Sequence, residues 1–296
     1  MSVDRQARIA AWLFVTPAAI LLLLVFAAPL AKNVQIGFEA VTPETFISGE
    51  AKFIGLDNYR TVIDSANFGK LMTNTVVFTA GSIVFQFAIG LALALFFNKR
   101  FPLNGFLRSI VLLPWLLPLL VSTTTWRSMM DVDSGIINRG LMNSHLVDQP
   151  VPWLVSTSHA MLAVLIVNIW IGIPFNMTLL YAGLQEIPKE LHEAASLDGA
   201  GRVRMFRYIT WPLLRPVVAV VLVLGVVYTL KVLEIIVVLT RGGPADTTQT
   251  LATQSYFYSF ANLQFSLGAA TSNLLILLSL AFAVVYLRLN RKAAEV

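Results

Sequence analysis

The chain has 296 residues, of which 57 % are apolar and 12 % are charged, and its formal net charge is +5. A soluble domain carries about 25 % charged residues, so this composition predicts an integral membrane protein with the lipid bilayer as its surroundings. The basic residues flank apolar runs, where they set the orientation in a membrane, and the net charge therefore does not indicate nucleic-acid binding.

Six apolar runs are long enough to cross a bilayer, which takes roughly 20 residues at a rise of about 1.5 Å each. The first run is longer than the apolar core of a signal peptide, so we favour a retained span over a cleaved leader. Pro114 and Pro118 predict a kinked or broken third span, and Pro174 predicts a kink in the fourth. The predicted spans are 9–31, 71–97, 109–126, 156–182, 213–239 and 265–287.

Polar stretches separate these spans. Residues 32–70 are mixed and rich in glycine, and they predict an outer loop with one short amphipathic piece. Residues 127–152 contain three aspartates and predict a second outer loop, and the sequence Thr-Arg-Gly-Gly-Pro at 240–244 predicts a turn. Between the fourth and fifth spans lies a densely charged interruption, residues 186–212, which we call the charged island.

The basic residues predict the orientation of the spans. With the N-terminus in the cytoplasm, thirteen lysines and arginines fall on the cytoplasmic side and seven fall outside, while Lys231 lies within the fifth span. Cytoplasmic loops of membrane proteins carry the basic excess. We therefore expect a single transmembrane domain over 1–296, with both termini and the charged island in the cytoplasm.

The charged island has the pattern of a helix that stops sharply. Pro188 suits a first helical turn, Glu190 and Glu193 lie where the helix dipole favours an acid, and Gly199 and Gly201 favour a stop or bend. A second short helix is predicted over 202–208, turning into the membrane at 209–212. An ordinary solvated loop is the alternative. One face of the first helix, at spacings of three and four, carries Leu191, Ala194, Ala195 and Asp198.

Two kinds of site are rejected on the sequence. His192 and Glu193 begin a match to the HExxH zinc signature, but position 196 is serine, so the second histidine ligand is missing. The absence of cysteine removes thiolate ligands as well. The sequence also has no GxxxxGK[ST] phosphate loop, so energy from ATP would have to reach the chain through another protein.

Polar residues inside the spans are candidates for a substrate pathway. Lys231 and Glu234 are three residues apart and can pair with each other on a helix, contact substrate, or lie near the outer mouth. Asn168, Gly172 and Asn176 share one face of the fourth span, with Trp170 and Phe175 nearby. Amides beside aromatic rings suit a sugar, although amide hydrogen bonds between helices are the more common use of such residues.

The charged island resembles the EAA loop of bacterial ABC importer permeases, which is written EAA-x3-G-x9-I-x-L-P. Residues 193–195 read Glu-Ala-Ala, and Gly199 and Ile209 follow at the required spacings. Trp211 replaces the leucine of the pattern, and Pro212 is retained. Further segments resemble the maltose-permease-like subfamily that imports sugars and glycerol phosphate, so the similarity extends over nearly the whole chain. They are Thr16-Pro17, 53–59, 184–200 and 239–244.

This resemblance implies an all-α membrane protein with the fold of a type I ABC importer, located in the bacterial cytoplasmic membrane. It implies three partners: a second, homologous permease subunit, a cytoplasmic ATPase dimer that holds ATP and Mg, and an extracytoplasmic solute-binding protein. The chain itself is then expected to hold no cofactor or metal and to have no enzymatic activity. Glu193 would be the polar anchor on the ATPase and Gly199 the bend. The residues implied to contact the ATPase are Glu193, Ala194, Ala195, Asp198 and Gly199.

Two other classes of function were weighed against a carbohydrate importer. An ion-coupled secondary transporter would use acidic residues within the membrane, and Glu234 is the only acid within a predicted span. A membrane enzyme would need a cluster of catalytic or metal-binding side chains near a membrane surface, and the sequence shows none. We therefore expect a permease subunit for a carbohydrate or a carbohydrate derivative.

Overall fold

A computed structural model describes residues 3–294 of the chain, with the surroundings of side chains for 11–286 and 288. Within these residues the regular structure is helical, apart from one two-stranded ribbon. Five helices are long and apolar enough to cross a membrane, and the number rises to six if one sharply bent pair counts as a single span. The predicted all-α membrane fold is confirmed.

The elements are numbered in chain order, and short π-helical turns at Leu23–Ala27, Phe206–Thr210 and Phe257–Ala261 join some of them. They are α1 (Val3–Leu22), α2 (Ala28–Gly37), β1 (Glu39–Ala40), α3 (Pro43–Ser48), β2 (Lys52–Phe53), α4 (Asp57–Ile63), α5 (Phe68–Phe97), α6 (Asn104–Leu116), α7 (Leu119–Met129), α8 (Ile136–Asn143), α9 (Ala160–Gln185), α10 (Lys189–Leu197), α11 (Arg202–Met205), α12 (Trp211–Leu230), α13 (Glu234–Leu239), α14 (Leu251–Tyr256) and α15 (Phe265–Ala294).

Contacts group the chain into two units. The first unit comprises the residues up to Phe68 together with Gln254–Ile276. The second comprises Gly69–Thr253 and the residues from Leu277 onward. Each unit has its own buried core.

In the first unit, the first span extends further than the sequence predicts. The apolar segment runs over Ala11–Gly37, and none of its most apolar window is buried. The predicted end was residue 31, but the helix continues through Lys32. Pro29 does not stop it, because this proline lies in the first turn of α2, where its missing N–H is no loss.

The stretch 32–70, predicted as an outer loop, is more ordered than the sequence predicts. Strand β1 pairs antiparallel with β2, and α4 buries Tyr59 and Val62 against Ala270 of α15. The amide nitrogen Nδ2 of Asn58 donates to the carbonyl oxygens of Gly37 and Glu39, at 3.0 Å each. Buried polar groups of this kind fix a loop because they must keep their partners once they leave water.

In the second unit, α9 lies at the centre of the packing. Met177 and Leu180 of α9 are buried with Ala94 of α5 and Leu214 and Val218 of α12. Nearer the start of the same helix, a second buried cluster joins α9 to α5, α13 and the end of α7. Its buried members are Phe78, Met130, Ala163, Val164, Val167, Ile235, Ile236 and Leu239.

Helices α5 and α9 meet through glycines and amides. A Cβ atom on Gly90 would lie 2.6 Å from Cβ of Asn176, so only glycine permits this approach. Nδ2 of Asn168 donates to Oγ of Ser82 at 2.7 Å, and Nε2 of Gln86 donates to the carbonyl oxygen of Asn168 at 2.9 Å. In lipid the hydrophobic effect does not hold helices together. Close packing of small residues and interhelical hydrogen bonds usually do so instead.

The third span is broken rather than kinked. Helices α6 and α7 meet at an angle of 95° across Leu117 and Pro118. Leu117 adopts an extended conformation with ψ 142°, as expected for a residue before proline, whose ring disfavours the helical region there. Pro114 lies inside α6, so Pro118 alone accounts for the break.

The fifth span differs from the prediction at both ends. The predicted turn at 209–212 is absent, because α11, a π-helical turn and α12 form one continuous apolar segment over Arg202–Leu230. At the other end the helix stops at Leu230 instead of continuing to 239, and α13 starts at Glu234. The new helix start places Glu234 in a first turn, where the helix dipole favours an acid.

We predict that Gly90→Ala destabilises the protein. The added methyl group would collide with Asn176 and approach the backbone nitrogen of Met177, and such overpacking typically lowers the free energy of unfolding by about 1–3 kcal/mol. Thermal or denaturant unfolding of the full chain in detergent measures the change.

Gly105→Ala is the matched control, because Gly105 lies within α6 and a Cβ atom there meets nothing within 4 Å. A helical Gly→Ala change without a clash is worth about 0.5–1 kcal/mol in favour of folding. Equal stability of the two variants would contradict the close approach of α5 and α9.

Candidate functional site

The charged island forms α10, a sharp stop and α11. Two backbone hydrogen bonds close the end of α10: Gly199 N–H donates to the carbonyl oxygen of Ser196 at 3.1 Å, and Ala200 N–H donates to that of Ala195 at 2.9 Å. Gly199 has φ +74°, in the left-handed region that favours glycine. The helix stop predicted at Gly199 is therefore present.

Most of α10 is exposed. Glu193, Ala194, Asp198 and Gly199 are exposed, and Ala195 is half-buried. Apolar side chains on and beside α10 are exposed as well: the exposed fraction is 44 % for Leu191, 90 % for Leu197 and 82 % for Val203. Exposed apolar groups among charges are typical of a surface that binds another protein.

A side-chain hydrogen bond ties α10 to the start of the fifth span. Nε2 of His192 lies 3.1 Å from Oγ1 of Thr210, which is buried. The chain just before α10 is fixed too, since Leu184 and Ile187 are buried in one cluster with Leu214 of α12. The sequence does not reveal this contact of His192, which there stands out only as the first residue of an incomplete zinc signature. Its partner is 18 residues away along the chain.

A second candidate site is a cavity of about 380 Å³ among α5, α6, α9 and α12. Three aromatic rings line it. The rings of Trp115 and Phe175 meet edge to face at 6.2 Å, and those of Phe175 and Tyr228 do so at 5.8 Å. Polar groups of Gln86 and Thr229 also line the cavity. Apolar rings with a few polar groups are the usual composition of a site for a small organic ligand.

The residues predicted to form a substrate pathway are distributed unevenly around this cavity. Asn168 lines it, although its Nδ2 is engaged by Ser82. Asn176 lies against Gly90 and donates to the carbonyl oxygen of Gly172 at 3.0 Å, outside the lining. Trp170 also lies outside the lining and packs edge to face on Trp126 at 5.6 Å. All three side chains thus make contacts within or between helices, and only Asn168 also lines the cavity.

Lys231 and Glu234 do not lie on one helix. The ammonium group of Lys231 lies 4.8 Å from the centre of the Tyr228 ring, a cation–π contact at the edge of the cavity. Glu234 is exposed at the start of α13. In the part of the chain that the structure describes, Lys231 and Glu234 form no ion pair with each other, so of the three alternatives the pairing is wrong. The helix break at 231–233 removes the i, i+3 geometry that this pairing required.

A third cavity, of about 410 Å³, lies where α7 ends and α13 meets the turn at 240–244. Arg127, Asp131 and Arg241 line it. The Ser134 hydroxyl donates to Oδ1 of Asp131 at 2.7 Å, and this hydrogen bond and that of the Ser134 N–H lower the pKa of Asp131. Asp131 is therefore ionised across the physiological pH range.

Within the described part of the chain, no group of three or more His, Cys, Asp or Glu side chains is placed to hold a metal.

Comparison with known proteins identifies relatives along nearly the whole chain. The family described as "Binding-protein-dependent transport system inner membrane component" matches residues 86–295. The chain is 40 % identical to the trehalose/maltose transport system permease protein MalF of Thermococcus litoralis, over 83 % of this chain and 82 % of that protein. It is 33 % identical to the sulfoquinovosyl glycerol transport system permease protein SmoG of Agrobacterium fabrum, over 97 % and 92 % of the two chains.

Solved structures show the same fold. A bacterial ABC transporter involved in the import of the acidic polysaccharide alginate contains a chain that matches with a TM-score of 0.83 at 22 % identity, over 98 % of this chain and 97 % of that one. An amino acid ABC transporter matches with a TM-score of 0.53 at 19 % identity, over 76 % and 93 % of the two chains. The architecture is therefore that of the membrane subunits of ABC importers.

These similarities also decide the kind of protein. The matched family consists of membrane transport components, so this chain is a multi-pass inner membrane subunit of an ABC importer and not an enzyme. The family match covers more than two thirds of the chain, including α9, the charged island and α12. The chain belongs to the inner membrane components of binding-protein-dependent transport systems.

Proposed function

We propose that this chain is the permease subunit that passes a carbohydrate or carbohydrate derivative through an ABC importer. Its similarity to permeases named for trehalose and maltose, for sulfoquinovosyl glycerol and for diacetylchitobiose supports this substrate class. The observation that carries it in the structure is the cavity lined by Trp115, Phe175 and Tyr228 beside the amide of Gln86. Apolar sugar faces stack on such rings, and hydroxyl groups bond to amides.

In this proposal α10 is the surface that binds the cytoplasmic ATPase. Glu193, Ala194, Asp198 and Gly199 are exposed on it, together with Leu191. The charged island and both termini then lie in the cytoplasm, and ATP and Mg are held by the ATPase dimer. A second, homologous permease subunit completes the pathway, and a solute-binding protein delivers the sugar on the opposite side of the membrane.

The contacts of α10 supply a route from the ATPase to the sugar. A movement of α10 pulls on α12 through His192 and Thr210. The buried cluster of Leu184, Ile187 and Leu214 keeps the segment before α10 from sliding along α12. Tyr228 lies 18 residues beyond Thr210 on the same helical segment, so the segment acts as a lever of about 27 Å at a rise of about 1.5 Å per residue. Displacement of α12 then changes the cavity wall that Tyr228 forms.

We predict that cells expressing the whole transporter take up a carbohydrate and that Trp115→Leu slows this uptake. Radiolabelled trehalose, maltose and diacetylchitobiose are the test sugars, and histidine is the control solute. Loss of one aromatic contact of about 0.5–1.5 kcal/mol is expected to reduce uptake at low substrate roughly two- to ten-fold.

Phe106→Leu is the control for this variant, because Phe106 lies on the same helix, is 63 % exposed and is absent from the cavity lining. Uptake of histidine but of none of the sugars would contradict the carbohydrate class. Equal effects of the two substitutions would contradict the role of the cavity.

We predict that Gly199→Asp assembles poorly with the ATPase while membrane insertion stays intact. A side chain in the left-handed region costs about 1–2 kcal/mol, so we expect roughly ten-fold less ATPase to co-purify with the tagged chain. Gly201→Asp adds the same charge at φ −69° in an N-cap position that suits aspartate, and it should assemble normally. Normal stoichiometry and undiminished uptake for Gly199→Asp would count against α10 as the ATPase surface.

We predict that His192→Ala lowers the sugar transported per ATP hydrolysed, with the ATPase still bound. The lost hydrogen bond to Thr210, worth about 1 kcal/mol, should reduce this ratio roughly five-fold in liposomes that contain the whole transporter. Ser196→Ala removes an exposed polar group of the same helix and should leave the ratio unchanged. An unchanged ratio for His192→Ala would show that α10 acts on α12 by another contact.

A further inference from the structure

A cavity of about 650 Å³ lies between the α5–α6 connection and α10, and the proposed function uses none of the lysines and arginines that line it. Lys99 and Arg100 line it from the connection, directly after the end of α5. Lys189 and His192 line it from α10. Because α5 is one of the apolar spans, the cavity lies where the apolar segment gives way to charged chain, at the depth of lipid headgroups.

The cavity has an excess of positive charge. Lys99, Arg100 and Lys189 face one acid among its lining residues, Glu193. None of these three cations is in an ion pair within the described part of the chain, where the ion pair present joins two residues of α4. Three convergent cations without carboxylate partners favour an anion that carries more than one acceptor oxygen.

The wall of the cavity has a fixed shape. Nδ2 of Asn104 donates to the carbonyl oxygens of Phe97 and Lys99, at 2.8 and 2.7 Å. Nε2 of Gln185 donates to Oδ1 of Asn98 at 2.6 Å, which joins the connection to the end of α9. These bonds hold the backbone that carries Lys99 in place without using its ammonium group.

An apolar surface continues from this cavity along the neighbouring helix. The cavity lining includes Phe97 and Phe101. On and just before α6, apolar side chains at spacings of three and four are exposed: 70 % of Leu103, 63 % of Phe106 and 45 % of Ile110. A ligand with a charged head and apolar chains would thus find its head in the cavity and its chains along α6.

We propose that this cavity binds the phosphate-bearing headgroup of an anionic phospholipid. Lys99, Arg100 and Lys189 contact the phosphate oxygens, and the acyl chains lie on the exposed face of α6. Basic pockets between transmembrane helices bind anionic headgroups in this way. A bound headgroup bridges the α5–α6 connection and α10, so it fixes the position of α10 next to the His192–Thr210 contact.

The test uses the purified, delipidated full chain in detergent and native mass spectrometry. Phosphatidylglycerol, phosphatidylcholine and inorganic phosphate are titrated separately. We expect one tight site for phosphatidylglycerol, and Lys99→Gln with Arg100→Gln should weaken it roughly five-fold per cation removed, or about 25-fold in total.

Arg202→Gln with Arg204→Gln is the matched control, because it removes the same charge from exposed positions of the charged island outside the cavity. Lys189→Gln is the second test variant. It leaves the basic connection between two spans intact, so it should insert normally and weaken phosphatidylglycerol binding roughly five-fold.

Four results would overturn the proposal. Equal losses in the cavity and control variants would show general attraction to a basic surface. Binding of inorganic phosphate as tight as that of phosphatidylglycerol, or equal binding of phosphatidylcholine, would show that no anionic lipid is selected. Cavity variants that bind the lipid normally but lose the co-purified ATPase would assign these cations to the protein partner.

Discussion

The close contact of α5 and α9 is the constraint on which the second unit depends. Lipid offers no hydrophobic force between apolar helices, so two helices stay together only through dense packing and satisfied polar groups. Gly90 and Gly172 provide the packing, and the bonds among Ser82, Gln86 and Asn168 satisfy the polar groups. With α9 fixed in this way, its middle part carries Phe175 into the aromatic cavity, and its C-terminal end leads through Ile187 into α10.

Both breaks within the membrane segments lie beside the aromatic cavity. Trp115 and Leu119 line it on either side of the break at 117–118, and Tyr228 and Val232 do so around the break at 231–233. Non-helical backbone at membrane depth is tolerated only where protein surrounds it or where it lines a cavity that water or ligand can enter. The positions of the two breaks thus indicate independently that the interior of the unit opens at this cavity, rather than at the face with Asn176 or Trp170.

The sequence predicts those features of the structure that depend on a few neighbouring residues better than those that depend on contacts between distant segments. The stop at Gly199 is a local matter of one left-handed residue, and the EAA spacing located it correctly. The lengths of the spans follow from apolar runs, but their ends do not, because an apolar helix shows no period that separates buried from lipid-facing positions. The pairing of Lys231 with Glu234 failed for this reason: nothing in the local sequence marks the end of α12 at Leu230.

The aromatic cavity could not be predicted from the sequence either, because its residues come together only when the helices pack. Trp115, Phe175 and Tyr228 come from three helices that only the packing on α9 brings together, and of the three the sequence singles out only Phe175, as a ring near the amides of the fourth span. Asn168 was found because an amide in a span is costly and therefore conspicuous. The hydrogen bond of His192 with Thr210 was missed because neither residue is costly where it lies. Sequence reasoning thus detects polar residues whose burial in the membrane costs free energy, and turns whose backbone needs glycine. Contacts between distant segments that carry no such cost become visible only in the structure.

The two sides of α10 have different chemistry, and this difference constrains how the helix can work. Leu191, Ala194 and Asp198 are exposed and available to a protein, whereas His192 faces the fifth span and Lys189 lines the basic cavity. A helix of nine residues is too short to be stable alone, so its position depends on what it touches. Its only rigid covalent attachments are α9 before Pro188 and α11 after Gly201. A force applied by the ATPase to the exposed side must therefore either move α12 through His192 or deform the Gly199 turn. The buried Thr210 and the closed backbone ring at Gly199 favour transmission over deformation.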